Sequence, residues 1–153
     1  MGTVLDTTVF VQLERRLRAV PRDRSMAEAG RLLARELGED EDLAIASITA
    51  SELLQGVHRA TPDHRPRREV FVEAVLAEFT TVPFDLRCAR AHAFIWAELA
   101  AKGADIGSHD RIVAATAVAL DWRVATTNVR HFRGVPGLST VGLDLSDGNP
   151  GST

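Results

Sequence analysis

Residues 108–132 read S-H-D-R-I-V-A-A-T-A-V-A-L-D-W-R-V-A-T-T-N-V-R-H-F, and the pattern of this stretch indicates the fold class. Its first half predicts a helix over Ser108–Leu120 with a face of small residues: Ile112, Ala115, Thr116 and Ala119. That face lets the helix lie close to a sheet. The apolar run Val124–Thr126 follows and predicts a short buried strand. A helix that leads directly into a buried strand is typical of a parallel α/β sheet with right-handed crossovers.

The rest of the chain repeats this alternation. Further strands are predicted at Thr3–Leu5, Leu43–Ala46, Thr80–Val82 and Ser139–Leu143. Helices are predicted after Asp6, from a cap at Ser25 to a stop at Gly38, and over Ile48–His58, Pro62–Phe79 and Asp85–Lys102. We therefore expect one α/β domain over residues 1–145 and a disordered, breaker-rich tail over residues 146–153.

The composition is that of a soluble globular domain. The chain has 153 residues, of which 45% are apolar and 25% charged. Its single cysteine, Cys88, excludes an internal disulfide and a cysteine zinc cluster, and is expected in the core. The sequence shows neither a membrane-spanning apolar run nor a signal peptide, so we expect a cytoplasmic protein.

All basic side chains except Lys102 are arginines, which bind phosphate in bidentate fashion. They cluster at Arg15, Arg16, Arg18, Arg22 and Arg24, and again at Arg65, Arg67 and Arg68. These clusters suit a nucleic-acid partner, but a biased genome composition produces the same excess. Alone they do not decide the function.

Four oxygen-bearing side chains lie at junctions between predicted strands and helices: Asp6, Glu52, Asp110 and Asn128. Because the carboxyl ends of parallel strands meet at one edge of a sheet, these side chains are expected to lie together where open α/β sheets bind ligands. They would repel one another without a cation, and helix N-termini relieve only part of that repulsion. Hard oxygen ligands of this kind suit Mg²⁺ or Mn²⁺.

Each acidic residue also has a purely structural explanation. Asp6 can cap the helix that follows it. Thr49 and Glu52 match a capping box. Asp110 would be stabilised by the dipole of a helix that Ser108 caps. A cap and a metal ligand occupy the same helix mouth, so these explanations are compatible with the site.

The fourth junction has its own alternatives. Asn128 favours an Asx-turn at the end of a strand. His131, three residues later, can contact a phosphate or the substrate, but a structural hydrogen bond is the more common role for such a histidine. Phe132 is expected to be buried.

The four junctions resemble, in order, the motifs of PIN-domain ribonucleases, and more closely those of VapC-type toxins of type II toxin–antitoxin modules. The matching segments are V-L-D-T-T-V-F, I-T-A-S-E-L-L-Q-G, D-R-I-V-A-A-T-A and T-T-N-V-R-H-F. The resemblance runs from Thr3 to Phe132. It implies a PIN-like three-layer α/β fold, in which helices flank a short parallel sheet. It also implies an active site of Asp6, Glu52, Asp110 and Asn128, in which the three acids bind metal. The fourth position is often Asp in the family, whereas here it is an amide.

The expected function is therefore that of a metal-dependent endoribonuclease. One or two Mg²⁺ ions, or Mn²⁺ as a substitute, would polarise the scissile phosphate and activate water. Asp6 and Asp110 would be inner ligands, and Glu52 would bind a second ion or orient the water. Thr8 or Thr127 would help to position phosphate or water. The expected partners are RNA, a cognate antitoxin and a second copy of the chain.

Two alternatives remain. The first is a regulatory binding module of the same fold, which grips an antitoxin or RNA with little or no catalysis. The second, ranked well below it, is phosphoryl transfer with Asp6 as covalent nucleophile, since Thr8 stands where that chemistry wants a second Asp.

The apolar residues of the first two helices leave one question open. They either form a groove for an antitoxin segment or belong wholly to the core, and the sequence favours neither. They are Val9, Phe10, Leu13, Leu17, Leu32, Leu33 and Leu37.

Overall fold

Five short strands form one fully parallel sheet in the computed structural model, which describes residues 1–147. They are β1 (Gly2–Leu5), β2 (Asp42–Ala46), β3 (Thr80–Val82), β4 (Arg123–Thr126) and β5 (Thr140–Gly142). Their order across the sheet is β3-β2-β1-β4-β5. Val4 is in register with Ala44 on one side and with Val124 on the other. The direction of winding therefore reverses at β1, and the carboxyl end of β1 is the topological switch point where such sheets bind ligands.

Six α-helices lie within the described residues. They are α1 (Thr7–Arg16), α2 (Arg22–Leu37), α3 (Ser47–Arg59), α4 (Arg65–Glu78), α5 (Leu86–Ala101) and α6 (Ser108–Leu120). Single 3₁₀ turns follow α1 at Leu17–Ala19 and β4 at Val129–Phe132. None of these helices is both long and apolar enough for a bilayer crossing.

The helices form one layer on each face of the sheet, because neighbouring strand residues point to opposite faces. Leu5 packs in the core cluster that contains the buried residues of α1 to α4. Val4, one residue earlier, packs in the second cluster, with the buried residues of α5 and α6. The three-layer α/β fold expected from the sequence is confirmed.

Helix α6 has the bounds predicted for it, Ser108–Leu120. Five consecutive residues, Val113 to Ala117, are almost fully buried. Small side chains allow this close approach to the sheet, which fixes the first turn of α6 at the carboxyl edge.

The predicted N-caps of α2 and α6 are wrong. Helix α2 begins at Arg22 with Pro21 at the N-cap, so Ser25 lies inside the first turn, where its hydroxyl donates to the Pro21 carbonyl. Proline favours this earlier start because its ring presets the backbone for a helix entrance. Helix α6 has Gly107 rather than Ser108 at its N-cap.

The seven apolar residues of the first two helices belong to the core. Each is between 0% and 8% exposed, so these side chains belong to the core and do not by themselves form the expected groove: Val9, Phe10, Leu13, Leu17, Leu32, Leu33 and Leu37. All seven lie in the core cluster that also contains Leu5 of β1 and Val72 and Val75 of α4. Cys88 is also buried, as expected.

The expected disordered tail falls largely outside the described residues, which end at Asp147. Of the two tail residues that are described, Asp147 lies 3.0 Å from the Arg16 guanidinium, and the Ser146 carbonyl accepts from the same group. The C-terminal segment is thus tied to α1 as far as the structure describes it.

A glycine at the start of β1 makes a sharp test of this packing. A Cβ on Gly2 would stand 2.0 Å from Cε2 of Trp122, so a larger residue must displace a half-buried indole ring. We expect Gly2→Ala to lower the free energy of unfolding by about 1–3 kcal/mol, as overpacking does. Gly30 in α2 is the matched control, since a Cβ there would meet no atom within 4 Å. Gly30→Ala should stabilise by about 0.5–1 kcal/mol. Urea denaturation measures both, and equal stability of the two variants would refute the packing described.

Candidate active site

Asp6 is the buried anchor of the site. It follows β1 directly, and its backbone N–H donates to the Ala125 carbonyl at 2.9 Å, which continues the ladder with β4. Its Oδ1 accepts from the Thr7 N–H at 2.9 Å, so Asp6 is the N-cap of α1 as predicted. Its Oδ2 accepts from the hydroxyls of Thr8 and Thr126, both at 2.8 Å. Three donors therefore satisfy a carboxylate that is only 3% exposed and hold it in one orientation.

Two threonine hydroxyls join the ends of β1 and β4. The Oγ1 atoms of Thr8 and Thr126 lie 3.3 Å apart. Thr8 also accepts from the Thr127 N–H at 3.2 Å, and Thr126 accepts from the Asn128 N–H at 3.0 Å. Thr8 thus orients Asp6, whereas Thr127 contributes only its backbone N–H to this network. Thr126 was not among the site residues predicted from the sequence. The feature that could have identified Thr126 is its hydroxyl at the end of a buried strand, because a buried hydroxyl needs a hydrogen-bond partner.

Glu52 reaches the site from the second turn of α3. That helix begins at Ser47 with Ala46 at its N-cap, so Thr49 is already inside the helix. The predicted capping box of Thr49 and Glu52 is therefore wrong, because the chain turns into the helix directly at the end of β2. Both side chains instead accept from the Thr7 hydroxyl. The distances are 3.0 Å to Glu52 Oε1 and 3.4 Å to Thr49 Oγ1.

Asp110 stands in the first turn of α6. Its Oδ2 lies so close to the N-cap that a Cβ on Gly107 would be 3.2 Å away. Burial raises the pKa of the Asp110 carboxyl, and the charges of Asp6 and Glu52 raise it further. The three carboxylates are therefore close enough to repel one another, which is what the strand topology predicted.

Two histidines lie beside the more exposed acids. His109 Nδ1 is 3.6 Å from Glu52 Oε2, and His131 Nδ1 is 3.8 Å from Asp110 Oδ2. Both histidines act to lower the pKa of Asp110, against the larger effect of burial. Each imidazole thereby offsets part of the negative charge of the cluster.

Asn128 faces His131 rather than a helix end. It precedes the 3₁₀ turn and makes no side-chain cap. Its Nδ2 lies 2.9 Å from His131 Nε2. The structural hydrogen bond expected for His131 is thus present, and its partner is the fourth motif residue. Phe132, the next residue, is buried as expected.

The side chains at this edge are of the types that bind a hard divalent cation, although they do not have the arrangement of a complete coordination site. Within residues 1–147, no group of three or more His, Cys, Asp and Glu side chains has the arrangement of a formed metal centre. What fits is the chemistry: three carboxylates and an amide at one sheet edge, with mutual repulsion that a cation would relieve. Asp6 is fixed, while Glu52 and Asp110 approach histidines beyond hydrogen-bond distance.

Comparison with known proteins places this arrangement in context. The PIN domain family model matches residues 3–138. Ribonuclease VapC of Rickettsia bellii is 28% identical over 148 residues, which cover 96% of this chain and all of that protein. The structure of VapBC2 from Rickettsia felis, bound to a DNA fragment from their promoter, matches with a TM-score of 0.76 at 25% identity, covering 94% of this chain and 100% of that one. VapBC-5 from Mycobacterium tuberculosis, a member of the VapBC family of toxin–antitoxin systems, matches with a TM-score of 0.69 at 26% identity, covering 93% and 98%.

The raised pKa of Asp110 predicts a pH-dependent cost to stability. The folded protein holds this proton more tightly than the unfolded chain does, so stability is lost as pH rises through the raised pKa. In metal-free buffer near neutral pH, Asp110→Asn should therefore raise Tm. The gain should shrink toward zero as pH falls to the ordinary value of 3.8. Asp63→Asn is the control, because Asp63 is an exposed acid in the loop between α3 and α4. This variant should leave Tm unchanged. A gain that does not vary with pH would contradict this assignment.

Proposed function

The chain belongs to the PIN domain family, and we propose that it is a ribonuclease of the VapC toxin type, which hydrolyses RNA phosphodiester bonds and is inhibited by a cognate antitoxin. One observation carries the proposal: Asp6, Glu52 and Asp110 meet at the carboxyl edge of β1, at the switch point of the sheet. The likeness to Ribonuclease VapC of R. bellii and to the VapBC structures supports it.

The proposed cofactor is Mg²⁺, with Mn²⁺ as a substitute, held by Asp6, Asp110 and Glu52. When bound, such an ion supplies positive charge that polarises the scissile phosphate and activates the attacking water. Asp6 is suited to be the fixed ligand, because three donors hold it in place. Glu52 and Asp110 lie beside it on separate helices, and neither makes a close ion pair that a cation would have to break.

Three helix N-termini converge on the same edge and favour an anionic substrate. Helices α1, α3 and α6 begin at Thr7, Ser47 and Ser108, directly before or beside the three acids. Their dipoles stabilise negative charge within about one turn. They therefore offset part of the charge of the three acids, and the proposed cation would supply the rest of the positive charge that an anionic phosphodiester needs.

A groove lined by arginines leads away from the acids and suits the RNA backbone. It has a volume of about 320 Å³ and includes Thr7 and Glu52 at one end and Arg15, Arg18 and Arg68 further along. Arginines bind phosphate oxygens in bidentate fashion. Arg16, in the same sequence cluster, is engaged instead with Asp147 and Ser146. Arg15 and Arg18 are therefore the members of that cluster placed to hold RNA.

A second, apolar groove adjoins the first and suits an antitoxin segment. Its volume is about 470 Å³. Its apolar lining comes from the end of α1, the start of α2 and one face of α4: Leu17, Val20, Met26, Val70, Phe71 and Ala74. The two grooves share Glu14, Arg18, Arg68 and Phe71. An amphipathic antitoxin helix laid in the apolar groove would therefore also cover the RNA path, which accounts for inhibition without contact with the acids.

The exposed face of α5 suits a second copy of the chain. Leu86 is 67% exposed and Phe94 is 57% exposed, and Ala93 and Ala97 lie beside them on the same face. The opposite face of α5 is buried against α6 through Ile95 and Leu99. Large apolar side chains among small residues allow two helices to pack closely, and we propose that this face forms a homodimer.

A regulatory binding module of the same fold is the second candidate. The observation in its favour is that the carboxylates are not assembled into a finished metal centre within the described residues. Such a module would bind an antitoxin or RNA through the same grooves without cleaving RNA. Cleavage by the purified chain separates the two candidates.

We predict Mg²⁺-dependent cleavage of RNA by the purified chain, with unequal losses at Asp6 and Asn128. Asp6→Asn removes the fixed charge and should abolish cleavage. Asn128→Ala should leave measurable cleavage, lowered by about 10–100-fold, because its side chain acts through a neighbour. Asp63→Asn is the control for loss of an acidic charge and should cleave as the parent does. A magnesium titration of the cleavage rate gives the comparison.

Three results would count against this assignment. Cleavage that persists in EDTA would exclude the metal role. Cleavage by Asp6→Asn at the parental rate would exclude this site. No cleavage by the parent chain would favour the binding module.

The two partner surfaces predict opposite defects. Val70→Asp places a charge in the apolar groove at a side chain that is 45% exposed, so folding should survive. It should abolish co-purification with the cognate antitoxin and leave the dimer intact. Phe94→Asp should halve the mass measured by light scattering and leave co-purification intact. Each variant is the control for the other, and the same defect in both would show that the surfaces are wrongly assigned.

A further inference from the structure

One histidine connects the amide of the fourth motif with the acid of the third. His131 lies in the 3₁₀ turn after β4, with its side chain about half exposed. Its Nε2 is 2.9 Å from Asn128 Nδ2, and its Nδ1 is 3.8 Å from Asp110 Oδ2. The imidazole thus lies between two site residues from different elements. Asn128 precedes the 3₁₀ turn after β4, and Asp110 lies on α6.

The hydrogen bond to Asn128 selects one tautomer of the neutral ring. The Asn128 Nδ2 only donates, so Nε2 must accept from it and carries no proton. In the neutral ring the proton therefore lies on Nδ1, which is 3.8 Å from Asp110 Oδ2. That distance is longer than a hydrogen bond, so the contact with Asp110 is compatible with this tautomer but does not select it.

We propose that His131 is a positioning residue for Asp110, and that Asn128 acts on the site through this histidine by holding it in the Nδ1–H tautomer. The proposal rests on the ribonuclease function proposed above. The Nδ1–H group draws Oδ2 of Asp110 to one side, which leaves the other carboxylate oxygen for the shared site. It also supplies a partial positive charge to the acid that Asp6 and Glu52 repel.

The arrangement gives a reason for an amide at position 128. A carboxylate there could only accept, so it would place a proton on Nε2, and a ring flanked by two carboxylates is stabilised with a proton on both nitrogens. An amide donor instead lets the ring carry a single proton. An amide donor is the group that keeps the Nδ1–H group directed at Asp110.

Packing alone gives a weaker account of His131. The turn is already fixed by Phe132, which is 3% exposed, and by the backbone bond from the His131 N–H to the Asn128 carbonyl at 3.2 Å. A side chain that is 46% exposed contributes little further to the core. The role of the ring is therefore in what its two nitrogens contact.

The first test reads the tautomer directly and needs no catalysis. Long-range ¹H–¹⁵N spectra of the imidazoles are recorded at about pH 8.5, where an unperturbed ring is neutral. The parent should show His131 protonated on Nδ1. Asn128→Ala should shift His131 toward the Nε2–H form and leave His58, at the exposed end of α3, unchanged. A parent ring protonated on Nε2, or a tautomer that does not respond to Asn128→Ala, would overturn the proposal.

The second test separates the two ends of the ring. His131→Asn places an amide N–H near the position of Nδ1 and should keep cleavage within a few-fold of the parent. His131→Gln places its amide near Nε2, away from Asp110, and should lower kcat about 10–100-fold, as Asn128→Ala does. The double variant Asn128→Ala/His131→Gln should be no worse than either single variant. His58→Gln is the control and should cleave normally.

Two other outcomes of the kinetic test would contradict the proposal. A loss that appears in RNA affinity rather than in kcat would show that His131 contacts the substrate itself. Additive losses would show that Asn128 acts independently. If the parent does not cleave RNA at all, the proposed function fails, while the tautomer spectra still decide whether Asn128 sets the tautomer of His131.

Discussion

The buried carboxylate of Asp6 is the interaction on which the rest of the site depends. It ends the central strand, caps α1 and accepts the hydroxyl of Thr126 from the neighbouring strand. A carboxylate that is 3% exposed is tolerable only when it is well hydrogen-bonded, and here three donors meet it. Hydrogen bonds to a charged group contribute about 1.5–3 kcal/mol each. The same bonds that make the charge tolerable therefore fix its direction.

The other acids are placed around this anchor at a cost to stability. Asp110 enters on α6, whose small-residue face brings it against the sheet, and its pKa is raised by burial and by Asp6. Glu52 enters on α3 and shares the Thr7 hydroxyl with Thr49. The fold thus holds like charges together and offsets their repulsion with helix N-termini and two histidines. A protein that only needed stability would gain from removing one of these charges, whereas a cation-binding nuclease needs all of them.

The features that follow from the spacing of apolar and small residues could be predicted from the sequence. The features that depend on where a side chain points could not. Strand and helix alternation predicted the parallel sheet, and the face of small residues predicted α6 with the bounds observed. The topology then implied that Asp6, Glu52 and Asp110 would meet. The capping box at Glu52 failed, because α3 starts at Ser47, directly after β2, and Thr49 therefore lies inside the helix. The role of Thr126 was missed, since a threonine that ends a strand has no distinctive pattern until its partner is known.

The grooves also show which features the sequence could predict and which it could not. Apolar spacing identified the inner faces of α1 and α2 correctly but could not tell core from surface, and all seven candidate side chains proved to be buried. The apolar groove instead uses the ends of those helices together with one face of α4, a combination that only the tertiary structure brings together.

We propose that Asp6 and its neighbours form one cation site at the carboxyl edge of β1. Anomalous diffraction from crystals of this protein soaked in Mn²⁺ is a direct test. We expect an anomalous peak within ligand distance of Asp6 and Asp110, which disappears in crystals of Asp6→Asn. A well-ordered site with no peak there, or a peak that persists without the Asp6 charge, would contradict it.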